Sequence, residues 1–217
     1  MNPKLLIFDL DGTLIDSRAD IANATNHVLQ HYGLPALGMD TITRFIGSGV
    51  RQLMAAAFDY LQAIQPSTEE IVTLFNEFYS RHYCEYTKWY PGAKETLQRI
   101  DQQVILTLAT NKPRLFTDPI LKKLGGIHFF KSIVCGGDDA PKKPDPTGVL
   151  RLLKEYDVPP SEALFVGDSL IDWQTCQAAG GIDMAYADYG FLGPNPDGFI
   201  PTYSLQSLAE LMDLFSF

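Results

Sequence analysis

The chain has 217 residues, of which 46% are apolar and 20% charged, and a formal net charge of −9. That size and balance fit one large globular domain, or a domain carrying a smaller insert, while the acidic excess argues against nucleic acid or an anionic membrane as partner. Three scattered cysteines, Cys84, Cys135 and Cys176, form no C-x-x-C pair, which fits a reducing compartment better than a disulfide scaffold.

The chain opens on an apolar run, Lys4–Phe8, that reads as a buried strand. The run is too short for a signal peptide, and no later run approaches membrane-spanning length, so the expectation is a cytoplasmic protein with no membrane partner. The strand leads into "IFDLDGTLIDS", where Asp9 and Asp11 precede Gly12. Two carboxylates a few ångströms apart repel each other, and burying them is costly unless something cationic compensates. The stretch is therefore either a solvated acidic turn or a site built around a cation.

From Asp16 to about Cys84 the pattern is helical and no strand is expected. Ile21, Ala24, Val28, Leu29 and Tyr32 recur at helical spacing, with Gly33 as a stop. Val50, Leu53, Met54, Ala57, Phe58 and Leu61 make a second helix, and Ile71, Leu74, Phe75 and Phe78 a third, with Ser67-x-x-Glu70 as a candidate capping box. This predicts a helical subdomain over 16–85, inserted into a core formed by 1–15 and 86–217. Hinges are expected at Gly12–Ser17 and in the Tyr86–Gly92 segment, where Pro91-Gly92 breaks the pattern.

Beyond the insert, short apolar runs at Val104–Ala109, Ser132–Cys135, Ala163–Val166 and Ile182–Tyr186 alternate with helical patterns at Thr147–Tyr156 and Asp172–Ala179. Near-continuous apolar strands separated by helices imply an α/β fold: a Rossmann-like parallel sheet with helices on both faces and right-handed crossovers. In such sheets ligands gather at the carboxyl ends of the strands. Four polar groups fall at such ends: Asp9 with Asp11; Thr110-Asn111-Lys112; Lys143-Pro144-Asp145-Pro146; and Gly167-Asp168-Ser169 with Asp172. Each signal is modest alone, but their combination in one chain is specific.

These four stretches resemble the motifs of haloacid dehalogenase-superfamily phosphatases: "FDLDGTLIDS" the first, "LATNK" the second, "KKPDP" the third and "VGDSLIDW" the fourth. The helical insert is similar to that family's small cap. "GSGVRQL", "YPGAKETL", "ATNKP" and "CGGDDAPKKPDP" together are most similar to phosphoglycolate phosphatases and their relatives. The resemblance implies hydrolysis of a small phosphorylated metabolite, with 2-phosphoglycolate first, by a monomer or homodimer. Asp9 would be the nucleophile and Asp11 the general acid/base. Mg²⁺ would be held by Asp9, Asp168 and the Asp11 carbonyl, with Asp172 in the first or second shell.

Residue chemistry is compatible with those roles. An Asp carboxylate is available as a nucleophile at neutral pH, and Mg²⁺ favours a few carboxylates together with water and phosphate oxygen. Asp172 also suits the positive end of a helix. Thr110 offers a hydroxyl to phosphate. Asn111 suits either phosphate binding or turn formation. Lys143 rather than Lys142 stands at the family position for the lysine that holds the phosphoryl group. In the insert, Gly47-Ser48-Gly49 and Arg51 resemble a substrate-contacting loop. Arg51 suits a carboxylate through two donors or is simply a solvated helix residue. The competing readings are a hexose phosphomutase, a pyrophosphatase or nucleotidase of the same fold, and a non-catalytic binding module. A metal-free 2-haloacid dehalogenase fits poorly, because it has no need of Asp11 or of the Asp168/Asp172 pair.

Overall fold

The structure is a computed structural model and describes residues 2–215. In chain order its main elements are β1 (Leu5–Phe8), α1 (Arg18–His31), α2 (Met39–Thr43), α3 (Val50–Tyr60), α4 (Thr68–His82), α5 (Ala93–Ile100), β2 (Ile105–Pro113), α6 (Arg114–Lys123), β3 (Ser132–Gly136), α7 (Thr147–Glu155), β4 (Ala163–Gly167), α8 (Leu170–Ala178), β5 (Asp183–Ala187), β6 (Tyr203–Leu205) and α9 (Leu211–Leu214). Two-residue strands at Ile15–Asp16 and Lys88–Trp89 lie outside the main sheet, so Asp16, where no strand was expected, is extended. The chain divides into two compact units, one over Ser17–Lys88 and one formed by the residues before and after it.

The second unit is built on a six-stranded sheet of order β3-β2-β1-β4-β5-β6, parallel throughout. Leu5 is in register with Ile105 on one side and Ala163 on the other. Strand order runs outward from β1 in both directions, so the switch point lies between β1 and β4. The crevice where such sheets bind ligands opens at the carboxyl ends of those two strands.

All four residues of β1 are fully buried, as expected for a central strand covered on both faces. On one face Leu5, Ile7, Phe165 and Met184 pack with Val149 and Leu152 of α7 and Cys176 of α8. Each such apolar side chain contributes about 1.5–3 kcal/mol on leaving water. The rigid strands thereby fix the backbone from which the polar strand ends project.

Several elements depart from expectation. The strand expected over Val104–Ala109 continues to Pro113, with a break in register between Thr110 and Pro113. The strand expected over Ile182–Tyr186 lies one residue later, and β6 carries no pattern strong enough to have been expected from sequence. Ser67 does precede the first residue of α4, but the capping box does not form. Its side chain makes no cap bond and instead donates to Glu69 Oε2 at 3.3 Å.

Within the Ser17–Lys88 unit no strand occurs between residues 17 and 87. α1 buries Ile21, Ala24, Val28 and Leu29, while α4 buries Ile71, Phe75 and Tyr79. A buried carboxylate ties the two ends of this unit together. Asp20, 1% exposed, accepts from the Thr87 N–H at 2.8 Å, the Thr87 hydroxyl at 2.6 Å and the Tyr86 N–H at 3.1 Å. Among the described residues no helix is long and apolar enough to cross a membrane.

Candidate active site

The carboxyl end of β1 turns abruptly. Asp9 still extends the ladder, its N–H donating to the Val166 carbonyl at 2.9 Å. The chain then wraps around the Leu10 carbonyl, which accepts from the N–H groups of Thr13, Leu14 and Ile15. Gly12 makes this turn with φ +88°. A Cβ on Gly12 would lie 2.0 Å from the Asp168 carboxylate, so both conformation and space require glycine.

β4 ends at Gly167 and delivers Asp168 to that gap. Asp168, 4% exposed, accepts from the Phe191 N–H at 3.0 Å and lies 3.4 Å from the Thr13 hydroxyl. Gly190 also packs directly against it, where a Cβ would fall 2.4 Å from the Asp168 Cβ. Asp172 follows in the first turn of α8. Its N–H donates to the Ser169 hydroxyl oxygen at 3.3 Å, and its Oδ2 accepts from that hydroxyl at 2.7 Å. Asp9, Asp168 and Asp172 each present a carboxylate oxygen within 4.8 Å of the others.

Lys143 closes this acidic cluster. Its Nζ lies 2.8 Å from Asp9 Oδ1 and 2.7 Å from Asp172 Oδ1, and 5.3 Å above the Phe165 ring. Asn111 sets its backbone, donating from Nδ2 to the Lys143 carbonyl at 3.0 Å and accepting from the Lys143 N–H at 2.8 Å. The side-chain amide that was open to phosphate or turn on sequence grounds is thus engaged in holding the lysine loop. Thr110 Oγ1 accepts from the Lys112 N–H at 3.2 Å.

Electrostatics follow from three carboxylates and one ammonium in a buried space. Burial, more than any other cause, pushes the Asp9 carboxyl up to about 7; Lys143 opposes the rise, while Asp172 and Asp11 add to it. Asp168 is raised well above the carboxylate range by burial, then by Asp172 and Asp9. Burial pulls the Lys143 ammonium down, but Asp172 and Asp9 outweigh it and the net movement is upward. The cluster is therefore over-charged with acid. Its donors are all oxygens, which suits a hard divalent cation.

Asp11 stands apart from the converging trio. Its two carboxylate oxygens lie 3.0 and 3.1 Å from Lys112 Nζ, a lysine that is 8% exposed. The sequence places Lys112 in the strand-end group Thr110-Asn111-Lys112 but assigns it no role of its own. The available signal was its place directly after a strand-end Thr-Asn. In the other unit, Gly49 (φ +94°) precedes α3, and Arg51 is exposed and paired with Glu69 at 3.1 Å. Asp138 is pinned by Arg114 at 2.7 Å and by the Cys135 N–H at 2.9 Å.

A family model for haloacid dehalogenase-like hydrolases matches residues 6–187. A phosphoglycolate phosphatase of Pseudomonas putida KT2440 is 36% identical over 217 residues, taking in 97% of this chain and 79% of that protein. One from Vibrio parahaemolyticus is 33% identical over 219 residues, taking in 97% and 95%. Among solved structures, a protein described as a predicted phosphoglycolate phosphatase of Haemophilus somnus 129PT superimposes with a TM-score of 0.91 at 28% identity, over 99% of this chain and 98% of that one. The family match takes in every member of the carboxylate–lysine cluster, and the chain belongs to the haloacid dehalogenase-like hydrolases.

Proposed function

We propose that the chain is a Mg²⁺-dependent phosphomonoesterase that forms an aspartyl phosphate on Asp9, with 2-phosphoglycolate as the first substrate to test. The observation that carries this reading is the cluster itself. A strand-end carboxylate lies beside two more, and one buried lysine bridges it to Asp172. The phosphoglycolate phosphatases among the relatives support the choice of substrate.

Asp9 and Asp168 would hold the cation through carboxylate oxygens, and Asp11 through its carbonyl. Both Asp172 oxygens already accept hydrogen bonds, one from Lys143 and one from Ser169. Asp172 would therefore steady the cluster from the second shell. When bound, Mg²⁺ supplies positive charge opposite the phosphoryl oxygens. Asp9 attacks phosphorus while Lys143 offsets charge on the phosphoryl group. The Thr110 hydroxyl, fixed by the Lys112 N–H, donates to a phosphoryl oxygen. Asp11 gives its proton to the leaving alkoxide and takes one from the water that opens the acyl phosphate.

Gly49 and Arg51 would serve the substrate's remaining end. Arg51 would have to exchange Glu69 for a substrate carboxylate, a small cost because water screens so exposed an ion pair. The test is phosphate release from a panel of small phosphorylated acids, sugars and nucleotides, with Mg²⁺ and with chelator. The expectation is Mg²⁺-dependent turnover that Asp9→Asn abolishes. Turnover by the Asp9→Asn protein at the wild-type rate would exclude the aspartyl phosphate, and turnover unaffected by chelator would exclude the metal.

A further inference from the structure

The break in β2 has a chemical consequence. In a regular strand successive side chains alternate between faces. Here Thr110 pairs with Cys135 and Pro113 with Gly136, so Asn111 and Lys112 fall between the two register positions. Such an irregularity re-aims side chains at a strand end. It is sealed by the Lys112 N–H to Thr110 Oγ1 bond and by a close backbone approach: a Cβ on Gly136 would lie 2.1 Å from the Asn111 carbonyl oxygen. From this kink Asn111 turns to the Lys143 backbone and Lys112 to Asp11.

A lysine this buried needs a charge partner, since removing an ammonium from water without one costs far more than a hydrogen bond returns. Lys112 Nζ has both Asp11 oxygens in reach at nearly equal distance, an arrangement that fixes the position and plane of that carboxyl group. Asp11 is also outside the group of carboxylates that converge with Asp9. The unit therefore holds two charge centres with separate lysines, Lys143 on Asp9 and Asp172, and Lys112 on Asp11.

We infer that Lys112 is a positioning residue for proton transfer, holding the Asp11 carboxyl group where it can serve the leaving group and the attacking water. The inference rests on the phosphomonoesterase reading. In the first half-reaction an Asp9 oxygen forms a bond to phosphorus as the bond from phosphorus to the ester oxygen breaks. The breaking bond's electron pair stays on that oxygen, which takes the Asp11 proton and leaves as the alcohol. In the second, water adds, the acyl-phosphate bond breaks, Asp11 recovers a proton from that water, and inorganic phosphate departs with Asp9 regenerated. Lys112 exchanges no proton in either half; it fixes the group that does.

The discriminating measurement is kcat/KM, which covers steps up to departure of the alcohol, for Lys112→Met across esters of rising leaving-group basicity. A well-placed general acid is worth about 10²–10⁴-fold. Lys112→Met should cost about 10²-fold with an alkyl phosphate but less than about 3-fold with 4-nitrophenyl phosphate, whose leaving group needs no proton. Lys112→Arg should restore part of the loss, and Lys112→Met added to Asp11→Asn should cost the alkyl ester nothing further. An equal fall for both esters would overturn the inference, as would no fall, or full additivity with Asp11→Asn. If Lys112→Met does not fold, Lys112→Arg and Lys112→Gln carry the same comparison. A wild-type protein that hydrolyses neither ester with Mg²⁺ would instead refute the phosphomonoesterase reading.

Discussion

The charge imbalance around Asp9 predicts a metal-free protein that loses stability as pH rises. An unfolded aspartate titrates near 3.9, whereas burial and neighbouring carboxylates hold Asp9 at about 7 in the fold. Between these values the folded chain binds a proton that the unfolded chain does not, so stability falls with rising pH across that window. The destabilisation is absent below pH 4 and fully developed above pH 7. A displacement of about three pKa units corresponds to about 4 kcal/mol, and Asp168 moves in the same direction. For a chain of this size each kcal/mol shifts Tm by about 2–4 °C.

Thermal unfolding in chelator should therefore show Tm falling by about 10 °C between pH 5 and pH 8. Mg²⁺ binds the ionised cluster, so its stabilising shift should be small at pH 5 and should grow toward pH 8. At about 100 times Kd it would restore about 2.7 kcal/mol. The acidic surface repels itself more as pH rises, and Asp9→Asn separates that background from the site. The variant's gain in stability over wild type in chelator should be markedly larger at pH 8 than at pH 5. Equal Mg²⁺ shifts at the two pH values, or no pH-dependent gain from Asp9→Asn, would refute the reasoning.

Three further outcomes are expected. Asn111→Ala removes both bonds that seat the Lys143 backbone, and phosphate release should fall about 10- to 100-fold, as expected for two lost hydrogen bonds of about 1 kcal/mol each or slightly more. Asp20→Ala leaves the buried Thr87 N–H without its carboxylate, and urea unfolding should report a loss of about 2–4 kcal/mol. Hydrogen bonding from Arg114 holds the Asp138 carboxyl below its usual range. Its stabilisation is thus present at neutral pH and disappears as pH falls through that lowered value. Asp138→Asn should cost about 1 kcal/mol at pH 7, a partly exposed pair being worth no more, and nothing in strong acid.

Sequence carried the apolar strands and the helical stripes because both are periodic signals set by burial. Strand ends were legible for the same reason: a carboxylate that stops an apolar run has nowhere to go but the sheet's edge. Asp9 and Asp168 stand at such ends, Asp172 follows Asp168 by one helical turn, and the three converge. What sequence could not carry was the direction in which adjacent polar residues face once a strand stops being regular. Asn111 and Lys112 are neighbours, yet one serves the Lys143 backbone and the other Asp11. That division depends on where the register breaks against β3. The break depends in turn on the bare backbone of Gly136, a residue that appears in sequence only as half of an ordinary Gly-Gly turn. Gly190 is hidden in the same way, since its meaning comes from Asp168, which lies 22 residues earlier in the chain. Chemistry-bearing residues announce themselves by type, but the residues that aim them are recognisable only by what fills the space a side chain would have taken. Variants at such glycines should therefore damage activity by displacing a neighbour. Gly136→Ala, which pushes on the Asn111 carbonyl, should lower turnover together with Asn111→Ala less than additively, because both loosen the same loop.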